Sequence, residues 1–149
     1  MNADDDARAA VDVAVGVLMR DDGLFLLTSR PPGKVFADHW EFPGGKLEVG
    51  ESVETALDRE LHEELGIRVT QSERWRIETM SYPHAKVRLH FCKVFAWQGV
   101  PRPREGQKLA WQCLPVTMGP LLRGTLPVLD WLAAERGFVG PTHGNVAAT

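Results

Sequence analysis

Between Ser52 and Gly66 the chain carries a pattern that only an α-helix satisfies. Val53, Ala56, Leu57, Leu61 and Leu65 recur at three- and four-residue intervals, the spacing that aligns one face at about 100° per residue. Ser52 is a good N-cap and Gly66 a good C-cap, so the spacing predicts a helix of about four turns. Glu60, Glu63 and Glu64 fall on one arc of that helix, about a quarter of its circumference wide. Glu60 and Glu64 lie close in angle to Val53 and Leu57, at the margin of the apolar stripe. Two costs follow. Like charges at neighbour spacing repel, and Glu63 and Glu64 stand in the last turn, where the negative end of the helix dipole opposes them. Hard oxygen ligands converging on one spot are what Mg2+ or Mn2+ requires, and a divalent cation relieves both costs. A solvated acidic face bridged by Arg59 or Arg68 satisfies the same spacing, so the charge cluster alone leaves both readings open.

The flanking segments read mostly as strands. Val11 to Met19 and Leu24 to Leu27 are apolar runs around the turn Asp21-Asp22-Gly23, two strands of a hairpin type. Ser29 to His39, with Pro31, Pro32 and Gly33, is a loop holding Arg30 and Lys34. Trp40 to Phe42 is a short strand, Pro43-Gly44-Gly45 a turn, and Leu47 to Val49 an extended stretch. Ile67 to Val69, Trp75 to Met80, Val87 to Trp97 and Leu109 to Leu114 are strand-like, Gly99 to Gly106 is a loop, and Pro127 to Arg136 is a closing helix. Strands, one helix, more strands and a final helix give an α+β fold and not the regular alternation of a doubly wound one.

Composition narrows the function. The 149 residues, 44% apolar and 25% charged, describe a folded protein of one domain. We expect a flexible N-terminus over residues 1–10, a single domain over 11–136 and a disordered tail over 137–149. Seventeen basic against twenty acidic residues give a net charge of -3, which argues against duplex nucleic acid as a partner. Asp4, Asp5 and Asp6 stand where a signal peptide carries lysines, and no stretch reaches membrane-span length, so the expected location is cytoplasmic with no membrane partner. Cys92 and Cys113 read as buried thiols.

The segment before the helix adds to the carboxylates. Gly44, Gly45 and Gly50 let backbone atoms approach a metal or phosphate closely, and Glu51 brings in a fourth carboxylate. Taken together, Gly45, Glu51, Arg59-Glu60-Leu61, Glu63-Glu64 and Gly66-Ile67 match the Nudix box, G-x5-E-x7-R-E-U-x-E-E-x-G-U with U apolar, at every specified position. The chain resembles the Nudix hydrolases. Trp40-Glu41-Phe42-Pro43-Gly44-Gly45-Lys46 is similar to the matching segment of the MutT-type branch, which acts on oxidised nucleotides such as 8-oxo-dGTP, and the likeness runs over roughly Val11 to Arg136.

That resemblance implies an α/β/α sandwich around a mixed sheet and a Mg2+- or Mn2+-dependent hydrolase. In MutT-type members, water attacks the β phosphorus of a nucleoside triphosphate, giving monophosphate and pyrophosphate. Carried over residue by residue, it implies that Glu60, Glu63 and Glu64 are metal ligands, joined by the Gly44 carbonyl, and that Arg59 orients a carboxylate. It implies a supporting role for Glu51, and a metal-assisting or general-base role for Glu105 in Arg104-Glu105-Gly106-Gln107. Arg30 matches a basic residue that contacts nucleotide phosphate or base, and Lys46 is a weaker phosphate candidate. Phe42, with Phe36, Trp40 and Phe91, is a candidate for stacking on a base, against the commoner role of strand aromatics in a core. Trp111 and Trp131 read as core.

One departure concerns the base. Members of this branch that select 8-oxoguanine carry an Asn two residues before a Pro at the start of the last helix. Here Thr125 in Gly124-Thr125-Leu126-Pro127 stands in that place, and one hydroxyl cannot reproduce the two-sided pattern of an amide. Hydrolysis of a pyrimidine triphosphate or another nucleoside diphosphate derivative therefore stays open beside oxidised purines, as does a non-catalytic nucleotide-binding module. His39, His62, His84, His90 and His143 show no metal spacing. The expected assembly is a monomer or homodimer with a small-molecule nucleotide as substrate and no duplex nucleic acid or membrane as partner.

Overall fold

A computed structural model describes residues 5–144. Its elements are β1 (Ala10–Leu18), β2 (Phe25–Ser29), β3 (Trp40–Glu41), β4 (Gly44–Lys46), α1 (Val53–Leu65), β5 (Arg68–Ser81), β6 (Lys86–Gln98), β7 (Leu109–Gln112) and α2 (Leu126–Arg136). Together they give the expected α+β class, with a mixed sheet and two helices. The chain divides into two compact units, one made of residues up to Met19 with Pro43–Arg104, the other of Arg20–Phe42 with the residues from Glu105 onward.

The first unit is a four-stranded mixed sheet in the order β4-β1-β6-β5. β1 lies parallel to β6 and antiparallel to β4, and β5 runs antiparallel to β6. α1 packs on this sheet through Val53, Ala56, Leu57, Leu61 and Leu65, all buried. Gly16 makes that approach possible, because a Cβ there would lie 3.1 Å from Leu57 Cδ1 and 3.2 Å from Leu61 Cδ1. The N-terminal arm is tied down as well. Asp6, 6% exposed, accepts from Arg8 and from the Ser81 hydroxyl, and Arg8 donates to the carbonyls of Tyr82 and Pro83.

The second unit is a three-stranded antiparallel sheet in the order β3-β2-β7. Its core holds Phe25, Leu26, Leu27, Leu121, Val128, Leu129 and Leu132. After α2, the Val116 amide donates to the Thr142 carbonyl and the Gly144 amide to the Val116 carbonyl. The parts of the expected flexible ends at 1–4 and 145–149 lie outside the described residues.

Five expectations need correction. β1 and β2 do not pair as a hairpin: both edges of β1 are taken by β4 and β6, and the turn at Arg20–Leu24 hands the chain to the other sheet. Gly44-Gly45, expected as a turn, is strand β4, because its extended backbone pairs with β1. The two segments expected at Ile67–Val69 and Trp75–Met80 are one strand, β5, whose register shifts near Gln71 and Arg74 break the alternation that a sequence pattern needs. Cys113 is exposed, while Cys92 is buried with its thiol pushed up to about 11 by burial. Trp111 and Trp131 are half-buried, not core.

Candidate active site

The catalytic candidates of the first unit are organised by the start of α1 and by its neighbour β4. The Ser52 side chain accepts from the Thr55 amide and caps the helix as expected. The preceding turn closes on itself, with Glu51 N–H donating to the Glu48 carbonyl and Glu48 N–H to Glu51 Oε1 at 2.7 Å. This turn holds Glu51 at the entry of the helix, facing Arg59 two turns on.

Arg59 is the hub. Its Nε and Nη2 grip the two oxygens of Glu51 at 2.8 Å each, a fork that fixes a carboxylate in plane. Nη1 donates to Glu60 Oε1 at 2.9 Å and reaches Glu63 Oε2 at 3.5 Å. Nη2 also donates to the Lys46 carbonyl at 3.0 Å, joining the helix to β4. The Arg59 guanidinium, with the Glu48 amide, holds the Glu51 carboxyl down to about 2. Arg59 is itself raised, first by Glu51, and stays a cation throughout.

Strand pairing decides which carbonyls of β4 look toward the hub. Gly16 N–H donates to the Pro43 carbonyl and Leu47 N–H to the Asp12 carbonyl, while Ala14 faces Gly45 in the register. Pro43, Gly45 and Leu47 therefore turn their polar groups to β1, and by antiparallel alternation Gly44 and Lys46 turn theirs away. The Lys46 carbonyl meets Arg59 on that outer edge, and the Gly44 carbonyl points the same way. Glycine leaves room twice here, for a side chain at one position and for backbone at the other. A Cβ on Gly45 would lie 2.2 Å from the Glu60 carboxyl carbon, and one on Gly44 would lie 2.0 Å from the Ala14 carbonyl oxygen. Glu60 thus rests directly on the Gly45 backbone.

Glu60 and Glu64 are half-buried and Glu63 is exposed, as the helical wheel implies. Among the described residues no three His, Cys, Asp or Glu side chains already form a metal-holding cluster. Arg59 draws Glu51, Glu60 and Glu63 to itself instead. A divalent cation fits the site nonetheless. Oε2 of Glu64 is buried and accepts no hydrogen bond, a costly state for an anionic oxygen unless a cation meets it, and all the donors are hard oxygens.

The C-terminal turn of α1 contains a device that sequence reasoning missed. The segment Arg102–Arg104, expected only as loop, docks on the helix end: the Arg102 amide donates to the Leu65 carbonyl, the Arg104 amide to the Glu64 carbonyl, and Arg104 Nη1 to the His62 carbonyl at 3.1 Å. Two arginines thus add positive charge at the end of a helix whose own last turn has His62 as its basic residue. The contact joins residues about forty positions apart, and only the docked geometry shows it.

In the second unit, Arg30 is held by the loop that follows it. Its Nε donates to the Val35 carbonyl at 2.7 Å and Nη1 to Glu41 Oε2 at 3.2 Å. Burial raises the Glu41 carboxyl, and Arg30 opposes that rise. Phe42 is a core residue, 4% exposed and tilted against Phe25 at 5.8 Å, so it offers no face to a base. Phe91 is likewise buried, whereas Phe36 is 40% exposed beside His39. Thr125 is 2% exposed, and its hydroxyl turns to the Trp40 carbonyl at 3.5 Å. Glu105 is exposed in the loop before β7, its amide bonded to the Gln107 side chain. Lys46 is an exposed side chain on β4.

Comparison with known proteins agrees with this construction. The NUDIX domain model matches residues 10–132. The chain is 41% identical to the 8-oxo-dGTP diphosphatase of Haemophilus influenzae over 101 residues, 68% of this chain and 74% of the relative. It is 36% identical to the CTP pyrophosphohydrolase of Escherichia coli K12 over 128 residues, 85% of this chain and 93% of the relative. The crystal structure of the MutT NUDIX hydrolase from Burkholderia pseudomallei is 27% identical and superposes with a TM-score of 0.75, over 83% of this chain and 98% of that one. With its box glutamates arranged about Arg59 and its helix and sheet built as in these relatives, the chain belongs to the NUDIX domain family and is a Nudix hydrolase.

Proposed function

We propose that this enzyme is a MutT-type nucleoside triphosphate pyrophosphohydrolase, taking oxidised purine nucleotides such as 8-oxo-dGTP to monophosphate and pyrophosphate in the cytoplasm. The observation that carries the reading is the Arg59 hub, which sets Glu51, Glu60 and Glu63 on one side of α1 beside the outward carbonyl edge of β4. Glu60, Glu63, Glu64 and the Gly44 carbonyl would hold Mg2+ or Mn2+. When bound, the ion supplies charge neutralisation for the triphosphate and a water of lowered pKa.

The protein's own residues do the rest. Arg59 keeps Glu51 ionised and orients both Glu51 and Glu60, so that neither swings into solvent. Glu105 is the best candidate to accept the proton of the attacking water, whose oxygen adds to the β phosphorus as the bridge to the α phosphate breaks. Arg30, positioned by Val35 and Glu41, is the residue to meet the nucleotide, with Lys46 a second contact for phosphate. The relatives named 8-oxo-dGTP diphosphatase favour the oxidised purine.

A second reading has its own support. The CTP pyrophosphohydrolase relative spans more of this chain, and Thr125, buried with its hydroxyl on a backbone carbonyl, does not present the amide that reads a purine edge. Steady-state hydrolysis of 8-oxo-dGTP, dGTP, CTP and dCTP with Mg2+, with products identified, separates the two. A kcat/KM preference for 8-oxo-dGTP with pyrophosphate release supports the first reading; a preference for the cytosine nucleotides replaces it with the second.

A further inference from the structure

The docked segment Arg102–Arg104 does more than close a loop. A helix leaves its last carbonyls without partners inside the helix, and here those of His62, Glu64 and Leu65 are met from outside. His62 O accepts twice, from the Gly66 amide and from Arg104 Nη1. Gly66 is left-handed at φ 73°, and its Cα lies so near the two arginines that a Cβ would come within 3.1 Å of Arg102 Nε and 3.2 Å of Arg104 Cδ. The turn pinned in this way is the one from which Glu63 and Glu64 project. A frayed last turn would let both carboxylates drift, and fraying is the ordinary state of helix ends.

We propose that Arg104 is a positioning residue for the hydrolysis: it holds the C-terminal turn of α1 in its reactive shape before any metal arrives, through its side chain on His62 and its amide on Glu64. The inference rests on the reading of Glu60, Glu63 and Glu64 as the metal-holding set. Arg104 follows Pro103, whose fixed φ limits how far the anchor can move. Its side chain is exposed, so its removal leaves the core intact.

The test uses the full chain and the variants Arg104→Ala and Arg104→Lys. In the metal-free protein, amide exchange followed by NMR is expected to quicken at Leu65 and Gly66 in Arg104→Ala and to stay unchanged in the first two turns of α1. With Mg2+ and nucleotide saturating, kcat of Arg104→Ala should fall about tenfold, the scale of a small misplacement of reacting groups, with KM for the nucleotide within twofold. Arg104→Lys, which can still reach a carbonyl, should recover part of both effects. Unchanged exchange at Gly66, or a kcat within twofold of wild type, overturns the proposal. A rise in KM with kcat intact also overturns it, since that makes Arg104 a substrate contact. Wild-type protein that fails to hydrolyse any nucleotide with Mg2+ would refute the functional reading instead, and the exchange data would still judge the clamp.

Discussion

Gly45 has no room for a side chain, because the Glu60 carboxylate occupies the place where one would be. Gly45→Ala should therefore push Glu60 off its seat: we expect Mg2+ activation to weaken at least tenfold while the far-ultraviolet spectrum stays that of wild type. Glu63 is a different kind of residue, 53% exposed at its side chain. Glu63→Gln should change stability by less than about 0.5 kcal/mol and lower kcat on the order of a hundredfold, a pattern that thermal melts and turnover measured side by side will check. Glu51 sets a pH dependence. Its carboxyl sits at about 2 when folded, against an ordinary 4.5, so the Arg59–Glu51 pair contributes fully above about 4.5 and is lost as the pH falls from there to about 2. The gap in melting temperature between wild type and Glu51→Gln should accordingly be present at pH 7 and close toward pH 2. A gap that stays constant would place the effect elsewhere.

At the scale of elements, α1 was legible from its apolar spacing, its Ser52 cap and its Gly66 stop, since all three signals are local. Leu61, fully buried against the sheet, gives that reading an energetic check: Leu61→Ala should cost about 2–5 kcal/mol in a denaturant titration. Strand identity was legible in part. β6 shows its alternation, but β5 hides its continuity behind register shifts, and β4 hides as a glycine pair because its pairing with β1 is made through the backbone alone. The partnership of β1 with β6, parallel and remote in sequence, has no local signal at all. For the same reason the box glutamates could be named from the motif, whereas the Arg102–Arg104 clamp and the buried seat of Phe42 could not.

For the molecule as a whole, chemistry and charge set the expectation for metal removal. Excess EDTA should abolish nucleotide hydrolysis and leave the fold in place, with activity restored by Mg2+ or Mn2+. Adding Mg2+ to the metal-free protein should raise its stability by about 2.7 kcal/mol once the ion reaches a hundred times its dissociation constant. Among the described residues no helix is long and apolar enough to cross a membrane. The alternation of β4 bears on how such a chain can vary over evolutionary time. Carbonyls of Gly44 and Lys46 face outward because of odd-even parity against β1, and a single residue inserted or deleted between Pro43 and Lys46 inverts that parity. Length changes should thus be purged from this short strand, even when every glutamate of the helix is kept.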